Sequence, residues 1–468
     1  MSLPSDLHYL EMHELSLLIR SRKLSPVEVT EAQLDRIDAL DGELHSYARV
    51  TAELALEQAH IAEQELADGI CRSPLHGIPL AFKDLFDTAG VVTAAGMPLH
   101  AQRVPTQDAT VVARLREAGV VMLGKLQMTE GAFAIHHPDI AVPLNPWGSN
   151  HWSGASSSGC GVATAAGLCY ASLGSDTGGS IRFPCAANGL TGLKPTWGRV
   201  SRHGAFEMAA SLDHVGPITR SARDALFLLS TIAGHDPLDP TSQPTVCLEV
   251  PGLDDTFRGL RVGIDERWLS DGVAPVIQQA LQQVMLMIRD GGGLLVSIRM
   301  PDTHAVSSNW EAHCGVQTAV AHADTYPLHA SAYGPALSRL IDAGRALSGM
   351  DYQRILLAAQ RFSGEADALL HQLDLVLAPV QPYAAPTYEQ LADLAQDPEA
   401  NRRLIQFTAP FNVSGHPCLS LPIGLTEEGL PIGGQFIARK GGEALLCRAG
   451  MAVQRVSHWH QLRPQGFS

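Results

Sequence analysis

The sequence lacks several features that mark particular protein classes. None of its eight cysteines forms a C-x-x-C pair, and most of them lie in apolar or Gly/Ala-rich runs. This pattern argues against a zinc site or a disulfide framework and indicates small buried side chains in a reducing compartment. Only 17% of the 468 residues are charged and 45% are hydrophobic, which is typical of a soluble globular protein and excludes wholesale disorder.

Long apolar segments and an excess of basic residues are also missing. The longest stretch without Asp, Glu, Lys or Arg runs from Ile140 to Ser175, but its Gly, Ser, Asn and Pro content does not predict a membrane span. Acidic residues interrupt the first helical stretch at Asp6, Glu11 and Glu14, so no signal peptide is expected and we predict a cytoplasmic protein with no membrane association. The formal net charge of −15 disfavours nucleic acid as a partner.

Strand-like and helix-like segments alternate along the chain. Helical spacing dominates residues 8–70, and a turn at His76 leads into a short apolar strand that ends at Phe82. Further strands are predicted at 120–124, 261–264, 293–298 and 373–379, with helices at 108–118, 274–287 and 333–342. Such alternation predicts an α/β fold, namely a single large mixed β-sheet covered by helices on both faces.

Three short segments contain residue types that serve nucleophilic catalysis. Lys83 follows a nearly apolar run, where desolvation would lower its pKa, although a lone lysine of this kind is more often a surface residue. Ser180 follows Gly178 and Gly179, and two glycines allow consecutive N–H groups to turn toward one point. A serine-rich loop at 156–158 lies between them, and by itself such a loop is commonly flexible or caps a helix.

In their order and spacing these segments resemble the amidase signature family. The matching runs are Gly77-Ile-Pro-Leu-Ala-Phe-Lys83-Asp84, Ser153-Gly-Ala-Ser156-Ser157-Ser158-Gly159 and Gly174-Ser-Asp176-Thr177-Gly178-Gly179-Ser180-Ile-Arg182-Phe-Pro184. The similarity continues through residues 189–201, 211–218, 408–417 and 429–437, so it spans most of the chain. The loop departs from the family pattern at Ala155, Ser158 and Cys160, where small residues replace glycines and a serine.

This resemblance implies a Ser–cisSer–Lys triad. Ser180 matches the nucleophile, Lys83 the base, and Ser156 the bridging serine whose preceding peptide bond is cis in relatives. The residues expected to support the triad are Ser157, Asp176 and Arg182. The backbone N–H groups expected to form the oxyanion hole belong to Thr177, Gly178, Gly179 and Ser180.

The same resemblance places one wall of a substrate pocket shortly after residue 124. The pocket residues expected there are Gln127, Met128, Thr129, Phe133 and His136. The apolar character of the segment around Phe133 favours a partly hydrophobic or aromatic acyl group. Neither a metal nor a cofactor is expected, because His136, His137 and His151 lack any standard ligand spacing and no carboxylate pair accompanies them.

The domain prediction is a single amidase domain over residues 1–468. Within it, residues 1–70 form an N-terminal helical part, 71–220 a catalytic core, and 300–370 a variable helical region over the mouth of the site. Aromatic residues of that region, Trp310, Tyr326, Tyr333 and Tyr352, are interpreted mostly as core residues rather than pocket residues. A homodimer is the default expectation for the assembly.

The function predicted from the sequence is hydrolysis of a small amide, including an aryl amide or anilide, through an acyl-enzyme on Ser180. A carbamate, urethane or urea-derivative hydrolase is the nearest chemical alternative. A second alternative is the glutaminase component of a tRNA-dependent amidotransferase, whose partner would bind the tRNA. A non-catalytic binding protein is disfavoured, because Lys83, Ser156 and Ser180 are all retained.

Overall fold

The computed structural model describes residues 6–244 and 256–467, and in these residues the strands belong to one sheet. The strands are β1 (Tyr47–Val50), β2 (Pro79–Lys83), β3 (Val121–Leu126), β4 (Ser172–Asp176), β5 (Thr191–Lys194), β6 (His214–Thr219), β7 (Arg261–Ile264), β8 (Leu294–Ser297), β9 (Leu375–Pro379), β10 (Cys418–Leu425) and β11 (Pro431–Ala438). Their order across the sheet is β1-β3-β2-β4-β6-β5-β10-β11-β9-β7-β8. Strand β2 runs parallel to both β3 and β4, and β7 runs parallel to β8 and β9, whereas the other neighbours are antiparallel.

Helices connect these strands. They are α1 (Met12–Arg20), α2 (Pro26–Leu44), α3 (Ala52–Ala67), α4 (Thr110–Glu117), α5 (Ser158–Ala165), α6 (Arg182–Asn188), α7 (Ala222–Ile232), α8 (Glu266–Ser270), α9 (Pro275–Asp290), α10 (His304–Ser308), α11 (Trp310–Ala321), α12 (Tyr326–His329), α13 (Pro335–Ala346), α14 (Gly349–Leu370), α15 (Tyr388–Leu394), α16 (Pro398–Ile405), α17 (Ala409–Val413) and α18 (Glu443–Val456). Helix α2 begins with a capping box at Ser25 and a proline at its first position, as its sequence predicts.

Both faces of the sheet are buried, which confirms the predicted fold class. Side chains alternate between the two faces of a strand. On β2, Leu80 and Phe82 pack into one hydrophobic cluster, whereas Ala81 between them packs into a second cluster with residues of α2 and α5. Strand β3 divides in the same way, with Met122 in the first cluster and Val121 in the second.

One element of the N-terminal region was wrong in the sequence analysis. Residues 8–70 are not entirely helical, because β1 lies between α2 and α3 and pairs with the sheet through β3. His45 adopts a left-handed conformation that ends α2, and the Asp41 carboxylate then accepts hydrogen bonds from the N–H groups of Ser46 and Tyr47. These contacts turn the chain into an edge strand, a consequence of long-range pairing that helical periodicity does not reveal.

The Gly- and Ser-rich central segment is the most deeply placed part of the chain. Every residue from 152 to 196 is buried. Its small side chains let the backbone pack closely: a Cβ atom at Gly154 would lie 2.4 Å from Pro184, and one at Gly159 would lie 2.4 Å from the Ser46 carbonyl oxygen. Close backbone approach, one of the two explanations that the composition suggests for this segment, therefore applies here.

Two other features bear on the sequence predictions. No helix within residues 6–244 and 256–467 is both long and apolar enough to cross a membrane. The cysteines at 71, 160, 169, 185, 314, 418 and 447 are free, and all but Cys71 are buried, while Cys247 lies outside the described residues.

Helices α11 and α13 cross at a pair of glycines. A Cβ atom at Gly344 would lie only 2.0 Å from the carbonyl oxygen of Gly315. The contact is backbone to backbone, so a side chain at either position would have to push the two helices apart. This crossing matters for the site, because Trp310 begins α11 and lines the cavity described below.

We expect Gly344→Ala to lower the free energy of unfolding by about 2 kcal/mol, because overpacking a close helix contact forces backbone shifts. The matched control is Gly364→Ala on α14, where an added Cβ meets no atom within 4 Å. This control should be neutral or stabilising by about 0.5 kcal/mol, the usual gain of alanine over glycine inside a helix. Urea denaturation of the two variants measures the difference, and equal stabilities would contradict the packing argument.

Candidate functional site

The carboxyl ends of two neighbouring parallel strands bring the first site residues together. Lys83 is the last residue of β2, and Asp176 is the last residue of β4. The strands pair in parallel, with Ala81 opposite Ser172 and Phe82 opposite Leu173. The residues that follow both strands therefore emerge at one edge of the sheet, which is where α/β sheets usually hold their ligands.

The Lys83 amine is completely buried and surrounded by hydroxyl groups. Its Nζ lies 2.6 Å from Ser156 Oγ and 2.9 Å from Ser175 Oγ. It forms no salt bridge with any carboxylate in the described residues. Burial lowers the pKa of Lys83 to about 7, because no adjacent anion compensates for the lost solvation of the ammonium. The amine can therefore exist uncharged near neutral pH.

The serine loop is held from below by the chain that follows β3. The Ala155–Ser156 peptide bond is cis. The N–H group of Thr129 donates to the Ser156 carbonyl oxygen, and the N–H group of Gly159 donates to the carbonyl oxygen of Gln127. Ser157 Oγ donates to the carbonyl oxygen of Ser175, so the loop is tied directly to β4.

The turn at 177–180 is fixed through its carbonyl oxygens. The Trp310 indole donates to the Thr177 carbonyl at 3.1 Å, and the Thr408 hydroxyl donates to the Gly178 carbonyl at 2.6 Å. Both glycines are required sterically, since a Cβ at Gly178 would lie 2.5 Å from the Trp310 ring and one at Gly179 would lie 2.3 Å from the Phe183 ring. Gly179 also has a φ of +142°, which disfavours other residues.

A buried ion pair supports this turn. Arg182 donates from Nε and Nη2 to the two carboxylate oxygens of Asp176, at 3.0 and 2.9 Å. Asn412 completes the arrangement, accepting from Arg182 and donating to Asp176. Burial opposes ionisation of Asp176, but the Arg182 guanidinium and the Asn412 amide hold the pKa of its carboxyl well below the ordinary value. The same carboxylate accepts the N–H group of Ile181, directly after Ser180.

Ser180 opens onto a cavity of about 430 Å³, together with Ala155, Thr177 and Gly178. Most of the cavity wall is apolar. The apolar wall residues come from three distant parts of the chain: Phe133, Ile135, Pro138, Ile140 and Val142; Trp152, Phe183, Met208 and Trp310; and Leu391, Leu394, Leu404 and Ile405. Among the described residues no lysine or arginine lines the cavity, and Glu311 is the only carboxylate in its wall.

The predicted pocket residues divide into two groups. Phe133 and His136 line the cavity, whereas Gln127, Met128 and Thr129 lie outside its lining. The pocket expectation therefore needs correction for these three residues. Met128 and Thr129 are almost fully buried beneath the serine loop, because the chain passes under that loop before it reaches the cavity.

Several site residues were missed by the sequence analysis. Asn412 and Thr408 fall inside the run 408–417 that was matched to the family, so that run was the available signal. Trp310 lines the cavity and contacts the turn at 177–180, whereas Tyr326 and Tyr333 are buried core residues, as expected for that region. Nothing local in the sequence distinguishes these three aromatic side chains.

One group of possible metal ligands lies outside this cavity's lining. Donor atoms of Glu11, His13 and Asp224 lie within 4.8 Å of one another. Hydrogen bonds to Asp224 and Glu11 raise the pKa of His13 to about 9, so its imidazole is protonated at neutral pH and is a poor ligand. The Asp224 carboxylate accepts the N–H groups of Met12 and His13. This group is best explained as the anchor of α1.

Comparison with known proteins agrees with this geometry. The family model described as Amidase matches residues 28–447. The chain is 47% identical over 456 residues to AmiD of Mycobacterium tuberculosis, which carries the name of an amidase with no substrate stated, and the match covers 97% of this chain and 96% of AmiD. A second relative is the glutamyl-tRNA(Gln) amidotransferase component of Moorella thermoacetica that shares this fold. The chain is 37% identical to it, over 98% of this chain and 99% of that protein.

A solved structure shares the architecture. The native peptide amidase of Stenotrophomonas maltophilia superposes with a TM-score of 0.83 at 28% identity, covering 98% of each chain. The family match extends over far more than half of the sequence, and the relatives align along nearly their whole length. The chain therefore belongs to the amidase signature family and is an amide hydrolase that acts on carbon–nitrogen bonds.

Proposed function

We propose that this enzyme hydrolyses small uncharged amides with an apolar or aromatic acyl group, using Ser180 as nucleophile, Ser156 as proton relay and Lys83 as base. The observation that carries the proposal is the buried Lys83 amine, 2.6 Å from Ser156 Oγ, at the base of a largely apolar cavity onto which Ser180 opens. A neutral amine in this position can accept a proton, which an ammonium cannot.

The reaction begins as Ser180 Oγ forms a bond to the substrate carbonyl carbon. Its proton passes to Ser156, and the Ser156 proton passes to the lone pair of Lys83 Nζ. As the tetrahedral intermediate collapses, the carbon–nitrogen bond breaks and the proton returns through Ser156 to the departing amine. Water then attacks the acyl-enzyme by the same proton route, and the acid is released with free Ser180.

The developing negative charge on the substrate oxygen is assigned to backbone N–H groups. In our proposal these belong to Thr177, Gly178, Gly179 and Ser180. The support is that side chains hold two carbonyl oxygens of this turn, which fixes the peptide planes before substrate arrives. A fixed donor of this kind contributes about 3 kcal/mol to transition-state stabilisation.

Asp176 and Arg182 are assigned a positioning role. The Asp176 carboxylate accepts the N–H group of Ile181 while Arg182 binds both of its oxygens. Ser157 ties the serine loop to β4. These contacts fix the backbone on either side of the proposed nucleophile and relay, and the three residues do not take part in proton transfer.

The cavity composition supports the substrate class. A mostly apolar wall gains free energy by covering apolar or aromatic groups, at roughly 25 cal/mol per Å² of buried surface. Carbamates, urethanes and urea derivatives remain within the proposal, since their carbonyl carbon can be attacked in the same way.

A glutaminase that works within an amidotransferase complex is the second candidate, and the 37% identity to the Moorella thermoacetica protein favours it. Glutamine carries an α-carboxylate that needs a cationic partner when it is buried. Within the described part of the chain no lysine or arginine lines the cavity, and the lining carboxylate of Glu311 would repel that group. The site chemistry therefore favours uncharged amides over glutamine.

We expect Ser180→Ala and Lys83→Met each to lower kcat/KM for an aryl amide by about 1000-fold or more, because each removes a step of the proton route. Lys83→Met keeps the length of the buried side chain without its amine. The control is Lys23→Met at an exposed position, which should retain wild-type activity. Thermal midpoints check that the variants fold, and a fluorophosphonate probe should label the wild type but not Ser180→Ala. Near-full hydrolysis by Ser180→Ala would refute the mechanism.

We expect kcat/KM to depend on pH with an apparent pKa near 7. Burial lowers the pKa of Lys83 to about 7, so the protonated and inactive form dominates below that pH and the active base dominates above it. The rate constant should rise about tenfold per pH unit below 7 and level off above it. Steady-state kinetics between pH 5 and 9, with circular dichroism to confirm folding at each pH, measure this. A profile that still rises steeply at pH 9 would assign the base an ordinary lysine pKa.

A substrate panel separates the two candidate functions. We expect kcat/KM for benzamide, hexanamide or an acyl anilide to exceed that for glutamine by about 100-fold or more, because an unpaired buried carboxylate costs several kcal/mol. Hexanamide is the matched control for glutamine, since it has a similar length and no charge. Aryl carbamates and phenylurea test the carbonyl variants. Preferential release of ammonia from glutamine, enhanced by a co-purifying protein, would establish the glutaminase instead.

A further inference from the structure

A histidine lies in the wall of the apolar cavity beside the serine loop. His136 is half-buried and lines the cavity, and its Nε2 lies 2.9 Å from Ser158 Oγ. Ser158 is the first residue of α5 and stands two positions after Ser156 in the same loop. The imidazole is therefore attached to the element that carries the proposed proton relay.

The second ring nitrogen is open to hydrogen bonding. Among the described residues, Nδ1 of His136 has no hydrogen-bond partner, and it is not enclosed by protein atoms. The neighbouring wall residues Phe133, Ile135 and Pro138 have no side-chain hydrogen-bonding group. A polar atom isolated in a mostly apolar wall is a typical orientation point for a ligand.

The ring is uncharged under neutral conditions. Burial lowers the pKa of His136 to about 4. A neutral imidazole has one donor and one acceptor nitrogen, and the hydrogen bond at Nε2 fixes which function remains at Nδ1. Such a group recognises an uncharged hydroxyl, ether or carbonyl oxygen, and it offers no charge to an anion.

We propose that His136, oriented by Ser158, recognises a polar group on the substrate, so that the preferred substrates are uncharged apolar amides with one hydroxyl or ether oxygen on the apolar body. The proposal rests on the function proposed above and narrows its substrate class. His136 acts here as a specificity-determining residue and Ser158 as its positioning residue. Neither takes part in the proton route through Ser156.

A set of congeneric substrates tests this inference. Aromatic amides that carry a methyl, methoxy or hydroxyl group at the ortho, meta or para position differ little in size, but they offer no hydrogen bond, an acceptor, or both functions. The enzymes compared are wild type, His136→Phe, Ser158→Ala and His60→Phe. His60 lies on the exposed face of α3 and controls for replacing an imidazole by a phenyl ring.

In the wild type we expect at least one oxygen-bearing substrate to exceed its methyl analogue in kcat/KM by about fivefold, as one net hydrogen bond provides. The difference should lie in KM, since binding of the remote group is equal in ground state and transition state. His136→Phe should abolish the preference, Ser158→Ala should reduce it, and His60→Phe should retain it. The same preference in wild type and His136→Phe, or no preference in the wild type, would overturn the inference.

A binding experiment separates this inference from the proposed function. The affinities of the same substrates for Ser180→Ala, and for Ser180→Ala combined with His136→Phe, can be measured by isothermal titration calorimetry without turnover. A preference that depends on His136 supports the recognition role even if the wild type hydrolyses none of these amides, in which case the proposed function alone fails. Equal affinities within the series overturn the recognition role even if hydrolysis is rapid.

Discussion

The site depends on a lysine that is buried without a counter-charge. Two carboxylates are close in sequence or in space, and each is engaged elsewhere: Asp84 lies 3.7 Å from Lys125 Nζ, and Asp176 is bound by Arg182. Burial lowers the pKa of Lys125, which has a carboxylate beside it, to about 8, and that of Lys83 to about 7. The separate pairing of the two carboxylates therefore leaves Lys83 with hydroxyl neighbours only, which favours its neutral form.

Small residues make this arrangement sterically possible. The buried run 152–196 contains the serine loop, β4, the 177–180 turn and β5, and its backbone segments approach too closely for larger side chains. Gly178 and Gly179 pack against Trp310 and Phe183, which also line the cavity. The residues that hold the turn in place thus also form the surface that substrate meets. Changes in cavity shape and changes in the geometry of the turn are therefore coupled.

The parts of the structure that the sequence predicts are those determined by local patterns. The strand ending at Lys83 and the Gly-Gly-Ser turn are contiguous segments, so their residue types and spacing are enough to indicate the site. The edge strand β1 and the hydrogen bonds from Trp310 and Thr408 depend on pairing between distant segments. The pocket expectation was correct for the position of Phe133 and wrong for that of Met128, because a few residues along one loop separate the cavity wall from the packing beneath it.

The division between local and distant contributions also explains how chemistry and selectivity can vary separately in this fold. Lys83, Ser156 and Ser180 come from the central strands and the segment between them, whereas much of the cavity wall comes from residues 132–142 and from α15 and α16. Substitutions in those outer segments alter the polarity of the wall without touching the buried amine. Where such a segment also contacts the serine loop, as His136 does through Ser158, one hydrogen bond links the recognition of substrate to the backbone that carries the proton relay.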